Sequence, residues 1–321
     1  MASTEPIVSL PSPFVVVGES LVDIVVPADG GGHHEAVGGS PLNVAIGLAR
    51  LDVATTLVTR LGDDDHGELV LDHLRDSGVR LADGSLVSGG TTSTATAYLD
   101  AANAATYDFE LVWDLPVQPL PPDTVGVHIG SLGTTLDPGR AGVADLVRQA
   151  GEGGVFVSYD PNIRPFFLED AEAAWQDVRR IAAGARLVKL SDEDLRLLRP
   201  GAAEDDICRG LLDGEATELV VLTRGAEGAL AFMEGSTLVV PAPATDVVDT
   251  VGAGDSFMAA MLAMLCEWGM VGDTEGALQA LDDARVELLL RGAVTAAAVT
   301  CSRRGANPPT RRELPPTWPA C

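Results

Sequence analysis

Short continuous apolar runs alternate with longer amphipathic stretches along the chain. Residues 14–17 and 219–222 are apolar at every position, which is typical of strands that are buried on both faces of a parallel sheet. Stretches such as 138–150 repeat their apolar positions with the period of a helix. The alternation predicts an α/β fold with a doubly wound, mostly parallel central sheet and helices on both faces.

Residues 91–114 follow a different pattern. Polar or aromatic residues alternate with small apolar residues from Thr94 to Leu99, and a second extended run passes through Tyr107, Phe109 and Leu111. This period of two predicts a half-exposed hairpin, which is separate from the buried strands of the main sheet.

Residues 245–270 combine the two kinds of signal. A β-branched pair, Val247 and Val248, leads to a glycine turn at Gly252 and Gly254, and an apolar helix begins at Asp255. A strand, a glycine turn and a helix start form an anion site, because backbone N–H groups point out of the first helical turn. On spacing alone, Asp255 is either a helix cap or a catalytic base.

Composition excludes several classes of protein. The chain has 321 residues, 46% of them hydrophobic, which indicates a sizeable core. A formal charge of −26 argues against nucleic-acid binding. No apolar run approaches the length of a membrane span, and no basic signal region is present. The four scattered cysteines have no metal-ligand spacing and look like free thiols of a reducing compartment, which favours the cytoplasm.

The only lysine, Lys189, does not complete a P-loop, and no protein-kinase motif is present.

The string from Asp249 to Asp255, DTVGAGD, resembles the signature of the ribokinase-like (PfkB) family of carbohydrate kinases. The resemblance implies that Asp255 takes the proton of the attacking sugar hydroxyl. It also implies that Gly252, Ala253 and Gly254 hold the transferring phosphoryl group. The expected domain is a single one at 13–312, with a small β lid formed by about 24–37 and 91–114. Residues 1–12 are expected to be a leader, and 313–321 a tail.

A second segment, Gly38-Gly39-Ser40-Pro41-Leu42-Asn43, resembles the family's GGxxxNxA signature. The pattern predicts a helix start with Ser40 as its cap and Pro41 at the first helical position. The resemblance implies that Gly38 and Gly39 leave room for the sugar. It also places Asn43 and Asp23, which follows the first strand, on the sugar hydroxyls.

Further substrate and nucleotide contacts are implied by the same resemblance. Arg164 closes a DPNIR segment that is either a ligand contact or a salt-bridged turn, and Tyr98 of the lid is placed on the sugar. Lys189 is either a phosphate contact or a solvated charge. Ser191 and Asp194 stand where the family has NxxE: the resemblance places Ser191 on ATP and Asp194 near Mg²⁺, with shorter side chains than the family's Asn and Glu. The remaining candidates contact ATP or a monovalent cation such as K⁺: Thr223, Gly225, Gly228 and Gly254 for ATP, and Asp249 for the cation.

The expected reaction is transfer of the γ-phosphoryl group of ATP to a primary hydroxyl of a neutral monosaccharide. Residues 81–139 contain no Lys or Arg to recognise a substrate anion. The segments look most like those of bacterial fructokinases, with ribokinase, 2-keto-3-deoxygluconate kinase or a non-catalytic sugar sensor as alternatives. A hydrolase with Ser256 as nucleophile is disfavoured, because no histidine follows it. A homodimer through the lid is expected, with no nucleic-acid or membrane partner.

Overall fold

The computed structural model of the protein describes residues 13–28, 31–102, 104–272 and 276–318. The expected leader, 1–12, and the last three residues of the expected tail, 319–321, lie outside the described residues.

Most of the described chain is divided between strands and helices that alternate in sequence. The strands are β1 (Phe14–Val17), β2 (Leu21–Val26), β3 (His34–Gly38), β4 (Thr55–Val58), β5 (Leu61–Gly62), β6 (Arg80–Leu81), β7 (Leu86–Val87), β8 (Ser93–Leu99), β9 (Ala105–Glu110), β10 (Gly126–Gly130), β11 (Phe156–Asp160), β12 (Leu187–Ser191), β13 (Leu219–Thr223), β14 (Ala229–Met233) and β15 (Ser236–Val240). The helices are α1 (Ser40–Arg50), α2 (Asp65–Asp76), α3 (Arg140–Glu152), α4 (Ala171–Ala182), α5 (Asp192–Leu198), α6 (Glu204–Leu212), α7 (Ala253–Glu267) and α8 (Asp283–Cys301).

The main sheet has nine strands in the order β15-β14-β13-β12-β11-β10-β1-β4-β6. All neighbouring strands from β13 to β6 pair in parallel, whereas β14 runs antiparallel to both of its neighbours, β13 and β15. The strand order reverses between β1 and β10, so the crevice for a ligand lies at the carboxyl ends of these strands. The predicted doubly wound, mostly parallel sheet is confirmed.

The residues of β1 face two separate hydrophobic cores. Phe14 and Val16 pack with side chains of α1, α2, α7 and α8 on one side of the sheet. Val15 and Val17 pack with side chains of α3, α4, α5 and α6 on the other side. The continuous apolar run of β1 follows from this burial on both faces.

A second sheet of four strands, in the order β3-β2-β8-β9, contains the segments that are predicted to form the lid. Asp23 of β2 pairs with Ala95 of β8, which in turn pairs with Phe109 of β9, so these three residues share one face. Tyr98 is three positions beyond Ala95 in the same strand and therefore lies on the opposite face. The predicted hairpin is confirmed, and it belongs to a sheet that projects from the first strand's carboxyl end.

Two local predictions are wrong. Residues 241–252 contain no strand: Val247 and Val248 are 62% and 57% exposed, and the N–H of Val248 donates to the carbonyl of Cys301 at 2.8 Å. The expected tail packs against the core instead. Leu314 and Trp318 are buried, and the indole Nε1 of Trp318 donates to the carbonyl of Gly292 at 3.0 Å. None of the described helices is long and apolar enough to cross a membrane.

Candidate active site

The first turns of α1 and α7 meet beside the crevice of the main sheet. The two helices approach closely at Gly47, where a Cβ atom would lie 2.6 Å from the Cβ of Ala259. Both helices follow glycines with positive φ, Gly39 at 110° and Gly252 at 75°, which a residue with a side chain rarely adopts. The packing therefore brings two sets of backbone N–H groups to one place.

Asp255, in the first turn of α7, is buried and accepts two hydrogen bonds from α1. The hydroxyl of Ser40 donates to Oδ1 at 2.6 Å, and the Nδ2 of Asn43 donates to Oδ2 at 2.8 Å. Burial raises the pKa of Asp255, and the bonds from Ser40 and Asn43 offset part of that rise. The predicted role of Ser40 as the cap of α1 is wrong, because Gly39 occupies the cap position and the Ser40 hydroxyl goes to Asp255.

The glycine turn before α7 is shaped by Gly252 and held by Asp249. A Cβ at Gly252 would lie 2.8 Å from the Cα of Ala306, so only glycine fits. Asp249 accepts from the N–H of Val251 at 3.0 Å and from the N–H of Gly305 at 2.8 Å. These backbone bonds lower the pKa of Asp249. Both oxygens are thus engaged in fastening the turn to the chain segment after α8.

Two N–H groups of the turn are available to an anion. In the described structure, the N–H groups of Gly254 and Asp255 make no hydrogen bond, whereas that of Ala253 donates to the carbonyl of Thr250 at 3.2 Å. The expectation that Ala253 also offers its N–H to a phosphoryl group is therefore wrong in this geometry.

The predicted sugar-side residues lie around the start of α1. The carboxylate of Asp23 lies over Gly38, where a Cβ would be 2.3 Å from its Oδ2. A Cβ at Gly39 would lie 2.6 Å from the carbonyl oxygen of Glu19. The Oδ1 of Asn43 is buried and has no hydrogen-bond partner among the described residues. Tyr98 is 49% exposed on the lid face opposite Asp23, so the geometry gives no support to its predicted place on the sugar.

Arg164 is exposed, and its guanidinium forms no ion pair or hydrogen bond within the described ranges of the chain. Its positive charge offsets part of the rise that burial causes in the pKa of Glu19 and Asp255. The alternative of a salt-bridged turn thus does not apply to Arg164. Just after it, Phe166 packs against Phe109 of the lid with ring centroids 4.6 Å apart.

Lys189 is not a solvated charge. Its side chain is 4% exposed, and its Nζ lies 2.7 Å from the Oδ2 of Asp160. Burial alone would lower the pKa of Lys189, but the charge of Asp160 reverses this and the pKa is raised. A Cβ at Gly254 would lie 3.6 Å from the Nζ, so the lysine lies next to the glycine turn.

Ser191 and Asp194 form a capping box at the start of α5. The Oδ2 of Asp194 accepts from the N–H and hydroxyl of Ser191 at 2.7 and 2.6 Å, and its Oδ1 accepts from the N–H of Ile163 at 2.7 Å. Both oxygens are engaged, and no group of three His, Cys, Asp or Glu able to hold a metal occurs among the described residues. The geometry therefore gives no support to Asp194 as a direct Mg²⁺ ligand.

The turn after β13 matches its predicted position. Gly225 and Gly228 have φ of 49° and 105°, and a Cβ at Gly228 would lie 2.1 Å from the carbonyl oxygen of Val240. The hydroxyl of Thr223 donates to the carbonyl of Leu190 at 3.3 Å. The turn thus lies at the carboxyl edge of the sheet, next to β12.

Glu19 is a buried acid that the sequence reasoning did not single out. Its Oε2 accepts from the N–H of Gly133 at 2.8 Å, and burial raises its pKa to about 7. The available signal was its position directly after a buried strand, where open α/β sheets place ligand-facing residues. For Ser40 the signal was its spacing from Asn43, because residues three apart share a helix face.

A buried carboxylate beside free N–H groups at a helix start, in the crevice of a doubly wound sheet under a lid, defines a phosphoryl-transfer type of α/β enzyme. The chain belongs to the pfkB family of carbohydrate kinases, whose model matches residues 14–312, and it is a sugar kinase. The predicted family is confirmed.

Similar proteins agree on this class. The chain is 33% identical to a fructokinase of Klebsiella pneumoniae, over 79% of this chain and 85% of that protein. It is 34% identical to a fructokinase of Rhizobium leguminosarum bv. trifolii, over 77% and 78% of the two chains. Its fold matches the structure of a Xylella fastidiosa fructokinase with bound ATP at a TM-score of 0.78 and 23% identity, over 95% and 96% of the chains.

Proposed function

We propose that this sugar kinase transfers the γ-phosphoryl group of ATP to a primary hydroxyl of fructose, with fructose 6-phosphate as the product. The observation that carries the proposal is the Asp255 carboxylate, buried and oriented by Ser40 and Asn43 beside the glycine turn. A carboxylate whose pKa is raised by burial is a better proton acceptor than an exposed one.

Each group of the site has a defined task in this reaction. Asp255 takes the proton of the attacking hydroxyl, and the free N–H groups of Gly254 and Asp255 stabilise the charge on the transferring phosphoryl group. Asp23, the space left by Gly38 and Gly39, and the unpartnered Oδ1 of Asn43 hold the sugar. The nucleotide phosphates contact three of the predicted positions on the carboxyl edge: Ser191, Gly225 and Gly228.

The choice of a neutral sugar rests on the distribution of cations. The lid strands β8 and β9 lie within residues 81–139, which contain no Lys or Arg. The lid strands would therefore offer no paired cation to a substrate carboxylate or phosphate, and the charge of Arg164, outside these strands, already acts on Asp23 and Asp255. The named relatives, which are fructokinases at 33% and 34% identity, favour fructose among neutral sugars.

Mg²⁺ accompanies ATP in this proposal and neutralises phosphate charge. Because the oxygens of Asp194 and Asp249 are already hydrogen-bonded, the described residues do not supply a set of direct ligands. Mg²⁺ commonly keeps several waters and is bound largely by substrate phosphates, which is compatible with such a site. A requirement for K⁺ near Asp249 stays a prediction, and replacing K⁺ by Na⁺ in the assay tests it.

The lid also supports a homodimer in this proposal. Aromatic surface is open on both faces of the lid: Tyr98 is 49% exposed on one face, and Tyr107 is 55% exposed on the face of Phe109. A cytoplasmic location is part of the same proposal, and the three described cysteines, which are free thiols, favour a reducing compartment. Sedimentation equilibrium tests the dimer, and a monomer at micromolar concentration would contradict it.

A substrate panel with ATP and Mg²⁺ tests the reaction. Fructose should have the highest kcat/KM, against ribose, 2-keto-3-deoxygluconate and nucleosides, and the product should be fructose 6-phosphate by NMR. A higher kcat/KM for ribose or 2-keto-3-deoxygluconate would replace fructose as the substrate. Binding of fructose without any ATP turnover would identify a sugar sensor instead.

A further inference from the structure

The buried pair of Lys189 and Asp160 is incompletely satisfied. Asp160 is the only hydrogen-bond partner of the Lys189 ammonium among the described residues, and the side chains are 4% and 3% exposed. The second carboxylate oxygen of Asp160, Oδ1, is buried and has no partner in the same part of the chain. Such a pair is costly to bury, so a purely structural role accounts for it poorly.

The pair lies directly behind the phosphate-binding turn. Gly254 is exposed, Lys189 is buried, and a Cβ at Gly254 would lie in van der Waals contact with the lysine Nζ at 3.6 Å. The charge of the ammonium would therefore act on an anion bound at the exposed side of Gly254. Because Gly254 has no side chain, no side-chain atoms separate the anion from the ammonium.

Four titratable groups surround the ammonium of Lys189. Asp160, Asp194 and Asp255 act together to favour its charged form, against the effect of burial. Burial and the charge of Lys189 lower the pKa of His128 to about 3, so this imidazole stays neutral. Of the three carboxylates, Asp160 alone contacts the ammonium, and it is the one whose removal would leave the lysine without a hydrogen bond.

We propose that Asp160 is a positioning residue that keeps the Lys189 ammonium charged and fixed behind Gly254, where it stabilises the transferring phosphoryl group. The role rests on the proposed function, since it requires a phosphate on the outer side of the turn. Asp160 acts on the reaction only through Lys189.

The test is the pH dependence of kcat in Asp160→Asn. Asparagine keeps the shape but removes the charge, so burial lowers the pKa of Lys189 and the active, protonated form is lost as pH rises. At pH 6 the variant should retain kcat within about threefold, while near pH 9 it should fall by about 30-fold or more. Asp160→Asn/Lys189→Arg should remove this pH dependence, because arginine stays protonated.

Glu218→Gln provides a matched control. It neutralises a buried carboxylate paired with Arg186, at 3.2 Å, just before β12 and β13 and away from the site. Its pH profile should match that of the native protein.

The outcomes separate this role from the proposed function. If Asp160→Asn has the native pH profile, or a kcat lowered equally at all pH values, the positioning role is overturned. If the native protein phosphorylates no sugar, the proposed function fails. In that case ATP binding decides the contact on its own: weaker binding in Lys189→Met and in Asp160→Asn at pH 9 supports it, and unchanged binding in both overturns it.

Discussion

Two buried ion pairs, one just before β12 and one within it, are satisfied to different degrees. Before the strand, Arg186 pairs with Glu218, whose carboxylate also accepts the N–H groups of Gly276 and Leu278 at 3.1 and 2.8 Å. Within the strand, Lys189 pairs with Asp160, which leaves one oxygen bare. The first pair fastens loops together, whereas the second includes a carboxylate oxygen without a hydrogen bond, close to the place where a ligand is expected.

The same contrast separates the acids of the active-site edge. Asp194 and Asp249 accept hydrogen bonds on both oxygens from neighbouring chain segments. Asp255 also accepts on both oxygens, but only from the side chains of Ser40 and Asn43, and Asn43 itself has an unpartnered oxygen. The backbone N–H groups that bind Asp194 and Asp249 thus distinguish carboxylates that fasten chain segments from Asp255, whose donors are side chains of the site.

Asp255→Asn gives the largest expected change in activity. Without the proton acceptor, kcat should fall by roughly 10²–10⁴-fold, the usual value of general-base assistance. Fructose binding should persist, and the free energy of unfolding should stay equal or rise, because a buried carboxylate is removed. Steady-state kinetics and calorimetry measure these effects. A variant with near-native kcat would refute the role of Asp255.

Glu218→Gln should affect stability and leave the chemistry intact. Removing one charge of a buried pair leaves Arg186 uncompensated and should lower the free energy of unfolding by about 3–5 kcal/mol. The kcat of the folded protein should stay within about twofold of native, since the pair lies at the end of β12 away from the site. Denaturant unfolding measures the loss of stability. A large loss of kcat would contradict the distinction between the structural pair Arg186–Glu218 and the site pair Lys189–Asp160.

Asp194→Asn tests whether bonding to backbone N–H groups or location at the site decides the role of an acid. The amide would present a donor to the N–H of Ser191, so the variant should lose about 1–3 kcal/mol of stability. If Asp194 is structural, kcat and the Mg²⁺ concentration for half-maximal rate should change by no more than about threefold. A large rise in that Mg²⁺ concentration would show that Asp194 contributes to Mg²⁺ binding, and it would contradict the structural role given to Asp194.

The elements and the signatures were readable from the sequence, because they depend on local pattern. Period-two and helical repeats located the buried strands and the lid hairpin, and the glycine turn marked the start of α7. The wrong predictions depend on distant partners. Val247 and Val248 have β propensity but pair with no strand in the described structure. Trp318 has the sequence context of a tail, but its indole donates a hydrogen bond to the carbonyl of Gly292 in α8.

Side-chain direction was the harder part of the site. Tyr98 was assigned to the sugar by its place in the lid, but only the register with β2 shows that it faces away from Asp23. Ser40 has the composition of a cap, and its hydroxyl is instead directed at a carboxylate 215 residues away. Neither fact can be derived without the packing of two elements against each other.

Ser40→Ala should move the acid limb of the kcat/KM profile. The hydroxyl of Ser40 stabilises ionised Asp255, so its loss raises the pKa of Asp255 further. Asp255 must be ionised to accept a proton, and activity should therefore be lost at a higher pH as pH falls. A shift of about one pH unit corresponds to a hydrogen bond to a charged group worth about 1.4 kcal/mol.

Ser256→Ala is the control for this shift. Its hydroxyl is also buried in the first turn of α7, but it has no hydrogen-bond partner among the described residues. Removing it should leave the acid limb in place, so a shift confined to Ser40→Ala reports the bond to Asp255 and not a general loosening of the helix start. Equal profiles for Ser40→Ala and the native protein would show that the Ser40 bond does not tune the base, and the contrast would then rest on Asn43 alone.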